Sequence, residues 1–557
     1  MNFVLCIRCS RLLIGVLCVT FLMASSPKLP AAESSADSKP ASVIKSPAAR
    51  PTPAKRLSAA ELAEQIDAFV DAALLAKKIP PSPRTDDAEF LRRVYLDVAG
   101  VIPPLDVVEP FLNDKQADKR AELIDGLLHS AEYARHMTDQ WREHLIPSTA
   151  AAARRRHETG IQWLEEAFRT NRPYDEFVRG ILTADGMQRN NGATTFLLTH
   201  QSLDEVTDRL SRVLLGVQIT CAQCHPHPFA DWKQEDYWGT AAFFSKVKHQ
   251  YERIEKVEHY GVSERGDRKP IMTPPSFMSV TPTFLGGVKP TLDPAEPYLP
   301  VFVDWLASDD NPYFARAFVN RLWRKLMGRG LVEPVDDLLA ANPGTHPKLL
   351  ALLGEQFRLH DFDIHYLIRA LTLSKTYQRT SRALDANHDD VEWYSHMPVK
   401  VMAPYVLGDS IQTVMRLGDP PVAPSAEPVN PQPELSQNEQ VKAAQRARGG
   451  RDSFASFFRG EENAAPTAYE TGVPQALRLM NSQDMHRGSR VVGQLAQKNK
   501  QPEVVLEQLY LATLTRRPTD EERQIVLRHI KSQPDPTRAL YDVVWALLNS
   551  TEFATNH

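Results

Sequence analysis

The helical spacing of apolar residues is the feature that most constrains the fold of this chain. A stripe containing Leu62, Ile66 and Val70 follows a capping box formed by Ser58 and Glu61. Similar spacing predicts further helices at 89–99, 119–128, 133–144, 160–170, 174–182, 314–327, 347–359 and 364–373. At 557 residues the chain is too long for one compact core. The sequence therefore predicts a mainly α protein with two helical domains.

Breaks in this spacing predict the domain organisation. A first helical domain is expected at 58–245, and a second at 309–557. Between them, residues 246–308 are rich in Pro, Gly and Thr, which predicts an irregular, β-poor connecting segment with a small hairpin. Within the second domain, residues 417–450 hold few large apolar groups, and an exposed, partly disordered insertion is predicted there.

The first residues have the pattern of a secretory signal peptide. Arg8 and Arg11 precede the apolar run Leu12–Met23, and small residues follow, so a signal peptide is predicted at 1–26. The run is shorter than the roughly 20 residues of a membrane span, although an uncleaved anchor remains an alternative. Residues 27–57 are rich in Pro, Ala and Ser and predict a disordered linker. We expect an exported protein, periplasmic or secreted, with no membrane span after cleavage.

Composition limits the partners and the chemistry. The chain is 42% apolar and 24% charged with a formal net charge of -4, which is ordinary for a soluble protein and predicts no nucleic-acid partner. Of the five cysteines, three lie in the predicted leader, so the mature chain has only Cys221 and Cys224. No Gly-rich phosphate loop, His-Glu-x-x-His motif or Gly-x-Ser-x-Gly elbow is present.

The segment Cys-Ala-Gln-Cys-His at 221–225 carries the clearest chemical signal. Two thiols separated by two residues, with a histidine next, match the attachment site of a c-type haem. Cys221 and Cys224 would form the thioethers and His225 would be the proximal iron ligand. Aromatic residues that could exclude water from a porphyrin, or simply form a core, are Phe229, Trp232, Tyr237, Trp238, Phe243 and Phe244. Candidates for a second axial ligand are His200, His227, His249, Met187, Met272 and Met278.

Two other interpretations of this segment stay open. Cys221, Cys224 and His227 could be three ligands of zinc or another transition metal, with a fourth from elsewhere, and His225 is a further candidate ligand. The two cysteines could instead form a disulfide, which an oxidising compartment favours.

Two polar clusters could line a binding cleft. Arg92, Arg93, Tyr95 and Asp97 share one predicted helix, whereas Asn320, Arg321, Asp336 and Asp337 lie near the start of the second domain. We favour the simpler interpretation that these residues form buried salt bridges and fix turns.

Three stretches carry a family resemblance. FLRRVYLDVAGVIP at 90–103, the segment at 118–141 and CAQCHPHPFADWKQEDYWGTAAFF at 221–244 resemble the family called planctomycete cytochrome C domain two. NPYFARAFVNRLWRKLMGRGLVEPVDDL at 311–338 and the segments at 361–381, 475–483, 509–522 and 546–553 resemble its partner, planctomycete-specific domain one. Both are families of unknown function, and the first one's name implies a cytochrome-like role. Its motif falls on Cys221, Cys224, His225 and His227.

These observations lead to one functional prediction and two alternatives. We expect an exported protein that binds haem c and transfers electrons to a redox partner protein, alone or as part of an oxidoreductase. The first alternative is a periplasmic zinc- or iron-binding enzyme, which could act on extracellular carbohydrate. The second is a cell-surface scaffold with a structural cysteine site.

Overall fold

A computed structural model describes residues 55–146, 158–254, 257–264, 271–273, 278–415, 449–458, 466–467, 492–493, 495 and 501–557. The predicted signal peptide, almost all of the linker and most of the predicted insertion at 417–450 lie outside the described residues. The described chain is mainly α, which confirms the predicted fold class.

Short helices build the first half of the fold. They are α1 (Ala59–Lys77), α2 (Asp87–Val94), α3 (Leu105–Asn113), α4 (Lys119–Leu128), α5 (Ala131–Leu145), α6 (Glu158–Arg169), α7 (Tyr174–Leu182), α8 (Thr195–Thr199), α9 (Leu203–Val213) and α10 (Gln234–Ala241). The predicted capping box starts α1, since the Ser58 side chain accepts from the Glu61 amide while Glu61 accepts from the Ser58 amide. The predicted helix at 89–99 is α2 continued by a π-helical turn at Tyr95–Ala99, which ends at Gly100.

The second half is built in the same way. Its helices are α11 (Leu299–Ala307), α12 (Phe314–Met327), α13 (Pro347–Leu359), α14 (Ile364–Leu373), α15 (Pro404–Met415), α16 (Pro502–Leu514), α17 (Asp520–Ser532) and α18 (Pro536–Leu548), with a further helical stretch at 449–458. Thr519 and Glu522 form the capping box of α17.

Three small antiparallel sheets accompany the helices. The first has the order β1 (Gly186–Met187), β3 (Val257–Ser263), β2 (Lys248–Ile254), and the second pairs β4 (Ile271–Thr273) with β5 (Met278–Val280). The connecting segment thus holds the small hairpin that was predicted and a second, shorter one. In the third sheet, β6 (Lys400–Val401) pairs with β7 (Thr555–Asn556), which ties the C-terminus to the middle of the chain.

One large hydrophobic core runs through both halves. Helix α1 packs against α14, and α7 packs against α11, so helices distant in sequence share this core. At its centre, Trp141 of α5 stacks on Phe318 of α12 with ring centroids 5.6 Å apart. A second apolar cluster joins α15, α16 and α18 with Leu96 and Ile102 from the first half.

Buried charges of the first half bind groups of the second half. The Asp97 carboxylate accepts from the Lys400 ammonium at 2.6 and 2.7 Å, from the Tyr377 hydroxyl at 2.8 Å and from the Asn556 amide at 2.7 Å. This network confirms the predicted buried salt bridge at Asp97. Arg92 differs, because its guanidinium donates to the backbone carbonyls of Thr513, Glu552 and Phe553. The hydrogen bonds of this buried cation therefore go to backbone carbonyls, while the Glu552 carboxylate acts on it only through its charge.

Within the ranges given above, no helix is both long and apolar enough to cross a membrane.

Candidate functional site

A sharp turn, and not a continuous helix, leads the chain to the Cys-x-x-Cys-His segment. Apolar residues at Val206, Leu210, Val213 and Val217 keep helical spacing toward Cys221, which predicts a helix there. In the structure α9 ends at Val213, and Gly216 adopts a left-handed backbone with φ of 65°. A glycine suits this position because other residues rarely adopt positive φ. The apolar stripe then continues as an irregular buried segment in which Val217 and Ile219 are fully buried.

The motif forms a single 3-10 turn at Thr220–Gln223. Ala222 is fully buried and holds the turn against the core, whereas Cys221 and Cys224 are exposed and free. The Cys221 carbonyl accepts from the amides of Cys224 at 3.4 Å and His225 at 3.5 Å. One turn of backbone therefore presents both thiols and the histidine to solvent.

The two histidines of the motif differ in which ring nitrogen is available. Nδ1 of His225 lies 2.8 Å from the Pro226 carbonyl oxygen, and a carbonyl can only accept, so Nδ1 carries the proton. The lone pair of Nε2 is then free to bind a metal. In His227 the Nδ1 lone pair accepts from the Phe229 amide at 3.2 Å, so the neutral ring carries its proton on Nε2. Of the two, His225 is the one prepared to act as a ligand through Nε2.

Burial and two neighbouring ionisable groups shift the pKa of His227. Partial burial lowers the pKa of His227, and the neighbouring His225 reinforces this shift. The Asp337 carboxylate, which belongs to the second half of the chain, opposes it. His227 therefore lies where the motif faces the second half.

Helix α10 supports the motif from behind. The Gln234 side chain donates to the Cys224 carbonyl at 2.8 Å, and the Trp238 indole donates to the Gln223 carbonyl at 3.0 Å. The His227 amide donates to the Trp232 carbonyl at 2.8 Å, which closes the loop between the motif and α10. These bonds satisfy backbone groups that would otherwise need water and so fix the turn.

Most aromatic residues near the motif are core residues. Trp232, Tyr237, Phe243 and Phe244 are all buried, and Phe243 stacks on Phe284 with ring centroids 5.3 Å apart. Trp238 is half-buried beside the motif, and Phe229 is 83% exposed next to His227. Four of the six aromatic residues therefore belong to the core, whereas Phe229 and Trp238 lie beside the motif.

The candidates for a second axial ligand are dispersed. His200 is buried with Nε2 3.1 Å from the Leu145 carbonyl, and Nε2 of His249 lies 3.0 Å from the Leu197 carbonyl. Met187 packs against Gly261 in the first sheet, and Met272 and Met278 lie in β4 and β5. The structure does not single out any of them as a partner of His225.

The donor groups of the motif fit a haem better than a lone metal ion. In the portion of the chain that is described, no group of three or more His, Cys, Asp or Glu residues is arranged to hold a metal ion. The donor set does fit a c-type haem, because two free thiols and an imidazole with an available Nε2 share one exposed turn. Cys221, Cys224 and His225 are the residues that would hold the haem.

Two residues of the polar cluster predicted near the start of the second domain, Asp336 and Asp337, differ in their contacts with this site. Asp337 accepts from Asn342 at 2.8 Å and so fixes its own turn, as predicted for this cluster. Asp336 instead accepts from Gln218 at 2.9 Å, three residues before Cys221. The role of Gln218 was not predicted, and no local pattern indicates it, because its partner lies 118 residues away.

Two family matches cover most of the described chain. Residues 65–249 match PSCyt2, described as a protein of unknown function (DUF1549). Residues 301–530 match PSD1, described as a protein of unknown function (DUF1553). Neither a curated protein nor a solved structure gives a match to the chain.

Proposed function

The chain belongs to the paired PSCyt2 and PSD1 families, and from this premise we propose that it is an exported c-type haem protein that transfers electrons. Cys221 and Cys224 would hold the haem through thioethers, and His225 would be the ligand of its iron. The name PSCyt2 hints at a cytochrome-like domain, in agreement with this assignment.

The observation that carries the proposal is the state of the three donor residues. Both thiols are free and exposed, as addition to the two vinyl groups of a porphyrin requires. The contact between His225 Nδ1 and the Pro226 carbonyl orients the ring and leaves Nε2 unprotonated. A metal site built on His227 has no comparable support, since Nδ1 of His227 is already bonded and its Nε2 is protonated. A disulfide has none either, since Cys221 and Cys224 are both free.

Each neighbouring residue has a defined task in this proposal. Gln234 and Trp238 donate to the motif carbonyls and so hold the turn that would carry the haem. The haem, when bound, supplies reversible one-electron chemistry at its iron. Because the turn is exposed, a redox partner protein could reach this face of the chain.

Export is part of the same proposal. Arg8, Arg11 and the apolar run Leu12–Met23 form the predicted leader, and c-type attachment is completed outside the cytoplasm. We therefore place the mature protein in the periplasm or outside the cell.

Expression through a secretion route with c-type cytochrome maturation tests the proposal. We expect a pyridine haemochrome spectrum and covalent haem that stays with the protein on a denaturing gel. Cys221→Ser should remove one thioether, and His225→Ala should alter the iron spectrum.

His227→Ala is the matched control, because it removes an imidazole two residues away and should leave the haem attached with its proximal ligand. If the site instead binds zinc or iron without a porphyrin, no porphyrin should be found and elemental analysis should detect the metal. His227→Ala should then release that metal.

A further inference from the structure

The segment that leads into the motif is bonded to the second half of the chain. The Gly216 carbonyl accepts from the Leu338 amide at 2.9 Å, and the Gln218 side chain donates to Asp336 at 2.9 Å. A side chain at Gly216 would meet Leu338 at 2.8 Å and Ala317 at 3.0 Å, so the two segments lie in close contact. Asp336 is 5% exposed, which protects its bond to Gln218 from competition with water.

The segment that leaves the motif has its own contact with the second half. The Trp232 ring packs against Tyr313, which lies immediately before α12, with centroids 6.2 Å apart. Both residues are buried. Since the His227 amide donates to the Trp232 carbonyl, this packing continues directly into the motif loop.

We propose that the PSD1 domain is a positioning element for the Cys-x-x-Cys-His site, and that Asp336 is the positioning residue that acts through Gln218. The motif loop at 219–232 is held at both ends by residues of the second family and in the middle by α10. Its geometry therefore depends on both domains, which gives a physical reason for their presence in one chain. The consequence for redox chemistry rests on the proposed function, whereas the order of the loop does not.

Hydrogen exchange of the full mature chain, read by mass spectrometry, tests this positioning role. Asp336→Ala removes the acceptor of the Gln218 amide, and loss of such a buried bond should accelerate exchange in 219–232 by about tenfold. Asp336→Asn keeps an acceptor oxygen and should restore slow exchange. Asp310→Ala removes an exposed carboxylate of the same type and should change nothing.

A positioning role requires that the acceleration is local. The peptide that covers Asp520–Ser532 should exchange at the wild-type rate in every variant. Equal acceleration in both peptides, or none at 219–232, would overturn the proposal. If Asp336→Ala does not fold, Gln218→Ala breaks the same bond from its half-exposed end and carries the same expectation.

Haem content of the same samples separates this inference from the proposed function. Local acceleration in a protein that never binds haem would keep the positioning role and reject the haem. Unchanged exchange in a protein that carries haem would keep the haem proposal and reject the positioning role.

Discussion

Substitution of Asp97 by asparagine should destabilise the protein strongly, because it leaves a buried ammonium without its counter-charge. The side chains of Asp97 and Lys400 are each 5% exposed. In the Asp97→Asn protein, Lys400 retains neutral oxygens as acceptors, among them the Leu326 carbonyl at 2.7 Å, but loses the carboxylate charge. Removal of one partner of a buried ion pair costs about 3–5 kcal/mol, a large part of the roughly 5–15 kcal/mol that stabilises a typical domain.

Urea unfolding followed by tryptophan fluorescence and by circular dichroism measures this loss. Lys400→Met should also destabilise, because the Asp97 carboxylate then loses its ion pair and keeps the neutral donors Tyr377 and Asn556. The double variant should cost less than the sum of the two, by about 1–3 kcal/mol, since neither charge then remains unpaired. A single Asp97→Asn cost below about 1 kcal/mol, or strict additivity, would refute the reasoning.

Three further predictions concern stability. Burial lowers the pKa of His200 from 6.5 to about 4, so its contribution to the free energy of unfolding is complete above pH 6.5 and is lost as the pH falls toward 4. His200→Gln should reduce this loss of stability at low pH by up to about 3 kcal/mol. Equal pH dependence of the two proteins in urea unfolding would contradict the prediction. Gly216→Ala should cost about 2–4 kcal/mol from backbone strain and overpacking, whereas the control Gly126→Ala, on an open helix face, should be neutral or stabilising; equal melting temperatures of the two variants would contradict this. Deletion of residues 552–557 removes carbonyl acceptors of the buried Arg92 and should abolish folding, as the loss of the cooperative thermal transition would show.

Helices with a clear apolar stripe and a local stop signal were predicted well from the sequence. The predicted ranges 174–182, 314–327, 347–359 and 364–373 coincide with α7, α12, α13 and α14. Pro173 and Pro347 mark two of the starts, and Gly328 and Ser374 follow two of the ends. Such signals lie within a few residues of the element that they define, so the sequence alone contains them.

The approach to the motif was predicted less well for a physical reason. Val213, Leu214 and Val217 keep helical spacing, yet Gly216 turns the chain away, because it must pass close to Leu338 and Ala317. That requirement comes from residues about a hundred positions away. The acceptors of Arg92 are also set by tertiary structure, since the Thr513 carbonyl lies 421 residues further along the chain.

At the site, too, some features could be predicted from the sequence and others depend on the tertiary structure. The spacing of Cys221, Cys224 and His225 could be recognised directly from the sequence. The choice between His225 and His227 as a ligand required the hydrogen bonds of each ring, which depend on the fold of the loop. The role of Asp336 required the contact between the two domains.

The most direct test of the central claim is a pyridine haemochrome spectrum of the folded, exported protein, recorded beside a denaturing gel stained for covalent haem. We expect a c-type spectrum with one haem for each chain, and loss of the covalent stain when Cys221 and Cys224 are both replaced by serine. A folded protein that has passed through a haem-maturing secretion route and carries no porphyrin would contradict it.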